Sequence, residues 1–119
     1  MLKREEICSA VEAYLDHLRN HEIDELMALY AEDAVKHEPL GVASHHGLDA
    51  IREFDIQSAA TGFSVTRHSP ITVSNHFSAV QVRVQFEGVP DFLATDLFEF
   101  DEHGKITSLS VLIDIEARA

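Results

Sequence analysis

Hydrophobic positions along this chain recur first with the period of a helix and then with the period of a strand. Ile7, Val11, Tyr14 and Leu18 fall on one stripe at i, i+4, i+7 and i+11, with Ala10 and Leu15 beside it. That spacing predicts an amphipathic helix over about 4–19. Glu5, Glu6, Glu12, Asp16 and Arg19 lie off the stripe, so Tyr14 belongs to the buried face and its hydroxyl needs a partner. Asn20-His21 breaks the pattern. A second helix is predicted over about 23–31, with Ile23, Leu26, Met27 and Tyr30 inward. Glu22, Asp24 and Glu25 crowd its first turn, where the helix dipole favours acids. Ala34-Val35-Lys36-His37-Glu38 reads as a short extended piece, because Pro39 disfavours the α region at Glu38. Residues from about 40 to 46 read as loop. A third helix, about 48–59, carries Leu48, Ile51, Phe54 and Asp55 on one face, with Asp55 the polar member.

After Thr61-Gly62 the period becomes two. Strands are predicted over about 63–68, 70–75, 77–87, 91–100 and 105–114. In the third, Val80, Val82, Val84 and Phe86 alternate with Ala79, Gln81, Arg83 and Gln85. In the fourth, Phe92, Ala94, Asp96, Phe98 and Phe100 share one face, and Leu93, Thr95, Leu97 and Glu99 the other. In the last, Thr107, Leu109, Val111 and Ile113 share a face. Glu87-Gly88-Val89-Pro90 and Asp101-Glu102-His103-Gly104 read as turns between neighbouring strands. Three helices followed by a run of strands imply an α+β domain, an antiparallel sheet with helices packed on one face.

Composition narrows the class. With 119 residues the chain makes a single domain, 1–119, with a real core. No apolar run reaches the roughly 20 residues of a membrane helix, and the charged N-terminus lacks the features of a secretory signal. The single cysteine, Cys8, forms no internal disulfide, so a cytoplasmic setting is expected. Twenty-one acidic residues against nine basic ones give a formal charge of −12, which argues against nucleic acid and anionic membranes as partners. The eight histidines show no two-histidine helical spacing of the zinc-protease type; His37, His45 and His46 with Asp49 are the densest group. No metal is expected, and the scattered glycines make no nucleotide loop.

The polar residues at inward positions carry the chemistry. Asp96 sits mid-strand between alanine and phenylalanine neighbours, where lost solvation penalises its charged form. It either finds a donor, with Arg83 or a histidine of a neighbouring strand as candidates, or stays protonated and donates. Tyr14 and Asp55 are also inward, and Glu38 lies at the mouth implied by the loop before the third helix. A phenol and a protonated carboxylic acid can both donate to one carbonyl oxygen, while a separate carboxylate moves a proton beside it. That is the equipment for enolisation.

At these residues the chain resembles the ketosteroid isomerases of the SnoaL-like, or nuclear-transport-factor-2-like, superfamily. The likeness runs through Val11-Glu12-Ala13-Tyr14-Leu15, the stretch from Leu26 to Ala34, His37-Glu38-Pro39-Leu40-Gly41, the stretch from Gly47 to Phe54, and Ala94-Thr95-Asp96-Leu97-Phe98-Glu99-Phe100. It implies a cone-shaped curved sheet, antiparallel or mixed, wrapped around three N-terminal helices as an α+β barrel of the cystatin-like type. It also implies a homodimer joined through the open sheet face, no cofactor, and a small apolar ligand such as a steroid-like ketone. Tyr14 and Asp96 are the implied oxyanion hole, and Glu38 the implied base that moves a proton between carbons of an unsaturated ketone. The family is a known instance of a carboxylic acid held neutral in an apolar site. Tyr30, Phe54, Asp55, Phe86, Phe98 and Val111 are the expected pocket residues.

Two positions depart from the family. Glu38 stands where aspartate is usual, and Asp55 where many members have a tyrosine that supports the oxyanion-hole phenol. An ionised Asp55 could instead take the Tyr14 proton as its own hydrogen bond and deny it to substrate. Three carboxyl groups around one cavity repel, so at least one should be protonated near neutral pH. Two other readings share the scaffold. One is a cyclase or dehydratase-type lyase using a histidine, His17, His37 or His68, beside an aspartate. The other is a non-catalytic small-molecule-binding dimer module.

Overall fold

The computed structural model describes residues 2–118. Helix α1 spans Arg4–Arg19 and buries Ile7, Val11, Tyr14 and Leu15, the stripe expected from the sequence. Its first turn is closed by the Lys3 backbone N–H, which donates to the Glu6 carboxylate at 3.0 Å. Helix α2 is a short element, Ile23–Met27. The second predicted helix therefore ends early, and Tyr30 opens a strand instead. Strand β1 covers Tyr30–His37 and strand β2 Ser44–His46, followed by helix α3, Leu48–Ala59. The remaining strands are β3 (Ser64–Arg67), β4 (Thr72–Ser74), β5 (Phe77–Phe86), β6 (Val89–Phe100) and β7 (Ile106–Arg118).

The seven strands make one mixed sheet in the order β2-β1-β7-β6-β5-β3, with β4 also paired to β5. The β1–β7 pair is parallel and the other pairs are antiparallel. The sheet is curved but unclosed, so the expected barrel is an open cone. Two strands precede α3, so the three helices are not consecutive: β1 contains the extended piece expected before Pro39 but starts earlier, at Tyr30, and β2 lies in the stretch expected as loop. The parallel pairing of β1 with β7 joins distant parts of the chain and draws the residues after Tyr30 into the strand without a local signature.

The long hairpin of β5, β6 and β7 forms the curved wall. Phe92, Ala94, Asp96, Phe98 and Phe100 all face inward and are buried, as the alternation predicts. Their cross-strand partners on β5, Val80, Val82 and Val84, are buried with them. On β7, Leu109 and Val111 are buried, while Ile113 at the open end is 40% exposed. Helix α3 is tied to β1 at its start. Gly47 caps it with φ +85°, a left-handed conformation open mainly to glycine. Its N–H donates to the Ala34 carbonyl at 2.8 Å. This bond fixes the level at which α3 presents Asp55 to β1. Among the described residues, no helix is long and apolar enough to cross a membrane.

Candidate functional site

A cavity of about 90 Å³ lies between α1 and the inner face of the sheet. A single buried water needs roughly 10–15 Å³ on this scale, so the space exceeds a hydration site. Its wall is apolar: Leu15 and Leu18 from α1, Phe63, Val65 from β3, Val82, Val84 and Phe86 from β5, and Phe92 and Ala94 from β6. Four polar side chains converge at one end of it: Tyr14, Lys36, Glu38 and Asp96.

Asp96 is 4% exposed, and its partners across the sheet are Val80 on β5 and Val111 on β7. Neither valine can donate. Among the described residues no side chain hydrogen-bonds to the Asp96 carboxyl; the Arg83 expected as a partner faces outward and pairs with Asp91 at 2.6 Å. Burial, and then the nearby Glu38 carboxylate, raise the Asp96 pKa from 3.8 to about 7, with Lys36 pulling the other way. Around neutral pH a large share of Asp96 is thus an uncharged acid with a proton to give to the cavity.

Tyr14 meets Phe98 edge-on at 5.3 Å and Tyr30 at 6.4 Å between ring centroids. These packed rings fix where its hydroxyl points. Burial holds the Tyr14 phenol well above its ordinary pKa of 10 despite the nearby Lys36. The phenol is therefore a donor and not a phenolate at neutral pH.

Lys36 is the residue that the sequence pattern does not single out. It is 1% exposed. Its Nζ donates to Asp55 Oδ1 at 2.7 Å and to Tyr14 Oη at 3.1 Å, and lies 3.5 Å from Glu38 Oε1. The ammonium also sits 5.3 Å from the Phe54 ring centroid and 5.6 Å from that of Tyr14, within cation–π range. Burial alone would release the Lys36 proton. Tyr14, Tyr30, Glu38 and Asp55 together outweigh burial and hold it well above the usual lysine value. In Ala34-Val35-Lys36 the apolar residues alternate onto both faces, so the pattern does not say which face is inward. The signal that could have found Lys36 is its position two residues from Ala34 and two from Glu38.

The expected site residues thus divide. Tyr14, Glu38, Asp96, Phe86 and Val111 line the cavity. Tyr30, Phe54, Asp55 and Phe98 do not; they stand behind it, around Tyr14 and Lys36. Asp55 does not line the cavity and is held by Lys36, which stands between it and Tyr14 and donates to both. The repulsion expected among three carboxyl groups is relieved in two ways: the ammonium neutralises one charge, and Asp96 keeps its proton.

No histidine lines the cavity among the described residues. His17 pairs with Glu22 at 2.9 Å, His37 meets the Ser44 hydroxyl at 2.7 Å, and His68 is exposed. His45 stacks on Phe54 at 4.2 Å. Among the described residues no three histidine, cysteine, aspartate or glutamate side chains converge as a metal site would require.

Comparison with known proteins bears on the fold and the family. The solved structure of SalBIII, described as an epoxide hydrolase/cyclase-like enzyme in pyran ring formation in polyether salinomycin, superposes with a TM-score of 0.85. The match covers 94% of this chain and 93% of that one at 19% sequence identity, which shows a shared fold. The SnoaL-like domain matches residues 11–109. The chain belongs to the SnoaL-like domain family.

Proposed function

We propose that this protein is an acid–base enzyme that moves a proton next to the carbonyl of a small, largely apolar ketone, as the ketosteroid isomerases it resembles do. The observation that carries this reading is Asp96: a buried acid between two valines, with a proton affinity near neutrality, facing an apolar cavity beside the Tyr14 phenol. Two neutral donors aimed into an apolar space suit an oxygen that gains negative charge during the reaction. In the proposed step the Glu38 carboxylate takes a proton from the carbon next to the carbonyl. The electron pair moves onto the oxygen, where Asp96 and Tyr14 donate to it. Glu38 then returns the proton to another carbon of the conjugated system, and the double bond has moved with no net gain or loss of atoms.

A second reading draws on the fold shared with SalBIII. The same groups would serve a ring closure in which Asp96 or Tyr14 protonates an epoxide oxygen as its C–O bond breaks. Glu38 would take the proton of the attacking hydroxyl. One assay separates the two: wild type, Asp96→Ala and Tyr14→Phe are offered a set of unconjugated enones and a set of hydroxy-epoxides. The isomerase reading expects conjugated enone to accumulate with wild type and to fall at least about 100-fold in each variant. Absence of enone turnover above buffer would end it, and turnover of the epoxides alone would replace it with the cyclase reading.

A further inference from the structure

Lys36 is a buried cation at the centre of a site whose proposed chemistry needs no cation in contact with substrate. Most of its hydrogen-bonding capacity is already engaged. An ammonium has three N–H donors; two go to Asp55 and Tyr14, and the Glu38 carboxylate lies 3.5 Å from Nζ as an ion pair. Lys36 lines the cavity, yet its Nζ is committed mainly to neighbouring side chains.

What Lys36 does to its neighbours is specific. A phenol has one proton to give and lone pairs to receive. Lys36 fills the receiving side of the Tyr14 oxygen at 3.1 Å. Having no acceptor, Lys36 cannot take the phenol's proton in return. Two buried oxygens nearby have no hydrogen-bond partner among the described residues and compete for that proton, Asp55 Oδ2 and Tyr30 Oη; Lys36 engages Asp55 through its other oxygen, Oδ1, at 2.7 Å. The remaining titratable groups that face this centre are Tyr30 on β1, Glu38 after β1 and Asp96 on β6. Glu38 and Asp96 both line the cavity.

We propose that Lys36 is the positioning residue of this site: it occupies the Tyr14 oxygen and engages Asp55, so that the one phenolic proton of Tyr14 is left for a ligand in the cavity. This deepens the reading of Tyr14 as a donor and rests on it. The arrangement also explains how Asp55 is tolerated beside the phenol: the intervening lysine turns a competitor for the proton into a support.

The test uses the full chain with Lys36→Met combined with Asp55→Leu, which removes both charges together and avoids stranding either. A second pair, Lys36→Gln with Asp55→Asn, is kept in case the first fails to fold. Two signals are read by NMR on folded protein. One is the ¹³Cζ resonance of Tyr14, which responds to what its oxygen accepts. The other is the carbonyl ¹³C resonance of bound 2-cyclohexenone, which responds to donation from Tyr14. With Lys36 in place, the bound carbonyl is expected to move downfield. In the double variant the Tyr14 oxygen loses the ammonium that holds and polarises it, so the Tyr14 resonance should change, the carbonyl displacement should shrink, and affinity should fall roughly tenfold; Lys36→Gln alone, which leaves Asp55 free to take the phenolic proton, should shrink the displacement further. Adding Tyr14→Phe to the double variant should then cost little more, because the donor is already misplaced. A Tyr14 resonance and ketone affinity unchanged in a folded double variant would overturn the proposal. Failure of wild type to bind any ketone would instead strike the proposed function, and the Tyr14 resonance would still decide the role of Lys36.

Discussion

The Nζ of Lys36 lies 2.7 Å from Oδ1 of Asp55, and both side chains are shut away from solvent. Such a pair is stable only while both members are present. Removing one leaves the other as an uncompensated charge in an apolar setting.

Lys36→Met should therefore destabilise the fold by about 3–5 kcal/mol in equilibrium urea unfolding. Lys36→Met with Asp55→Leu should recover most of that loss, since apolar groups of similar volume replace a pair whose desolvation offset much of its attraction. A single variant within about 1 kcal/mol of wild type would mean that the pair carries no such stake.

Asp96 makes a pH-dependent prediction of definite sign. The folded chain holds the Asp96 proton up to about pH 7, while an unfolded chain releases it near 3.8. Below 3.8 both states are protonated and the residue's contribution is fully present. As pH rises from there to about 7 the unfolded state alone loses its proton, and stability falls. The loss is complete above about 7 and amounts to at most about 4 kcal/mol, at roughly 1.4 kcal/mol per pH unit. Asp96→Asn keeps the shape of the neutral acid and cannot ionise. Its stability relative to wild type should climb between pH 4 and 7 and level off above, as read from urea midpoints at a series of pH values. A difference that stays flat with pH would show that Asp96 ionises in the folded state as it does in the unfolded one.

How much of this was legible in the sequence depended on how local each signal was. The α1 stripe and the β5, β6 and β7 alternation are set by side chains a few positions apart, and they placed Tyr14 and Asp96 on inward faces correctly. The early end of α2 and the strand that starts at Tyr30 were not legible. That segment is drawn out by pairing with β7, which begins 76 positions further on, with Tyr30 opposite Ile106. Tertiary pairing of this kind overrides a short helical pattern. Lys36 stayed hidden for a related reason: a lysine in a strand reads as exposed, and only the acids from α3 and the end of β1 make its burial tolerable.

The outer face of the sheet bears on assembly. Leu97 on β6 and Leu112 on β7 point away from the core and are 40% and 43% exposed. They stand among Gln81, Thr95 and Ser110 on the same face. A second copy of the chain is the occupant the family resemblance leads us to propose. Sedimentation should show a dimer at micromolar concentration, and Leu112→Glu should shift it toward monomer by placing a charge in the apolar part of the contact. A wild-type monomer at that concentration would remove the dimer from the account.

The account turns on one proton, that of Asp96, and it can be observed directly. A ¹³C titration of the Asp96 carboxyl should show a midpoint near pH 7 in the free protein. With a saturating ketone such as 2-cyclohexenone the midpoint should rise further, because the ligand binds the protonated acid. A midpoint in the ordinary aspartate range, unmoved by ketone, would contradict the claim that Asp96 is the neutral donor of this site.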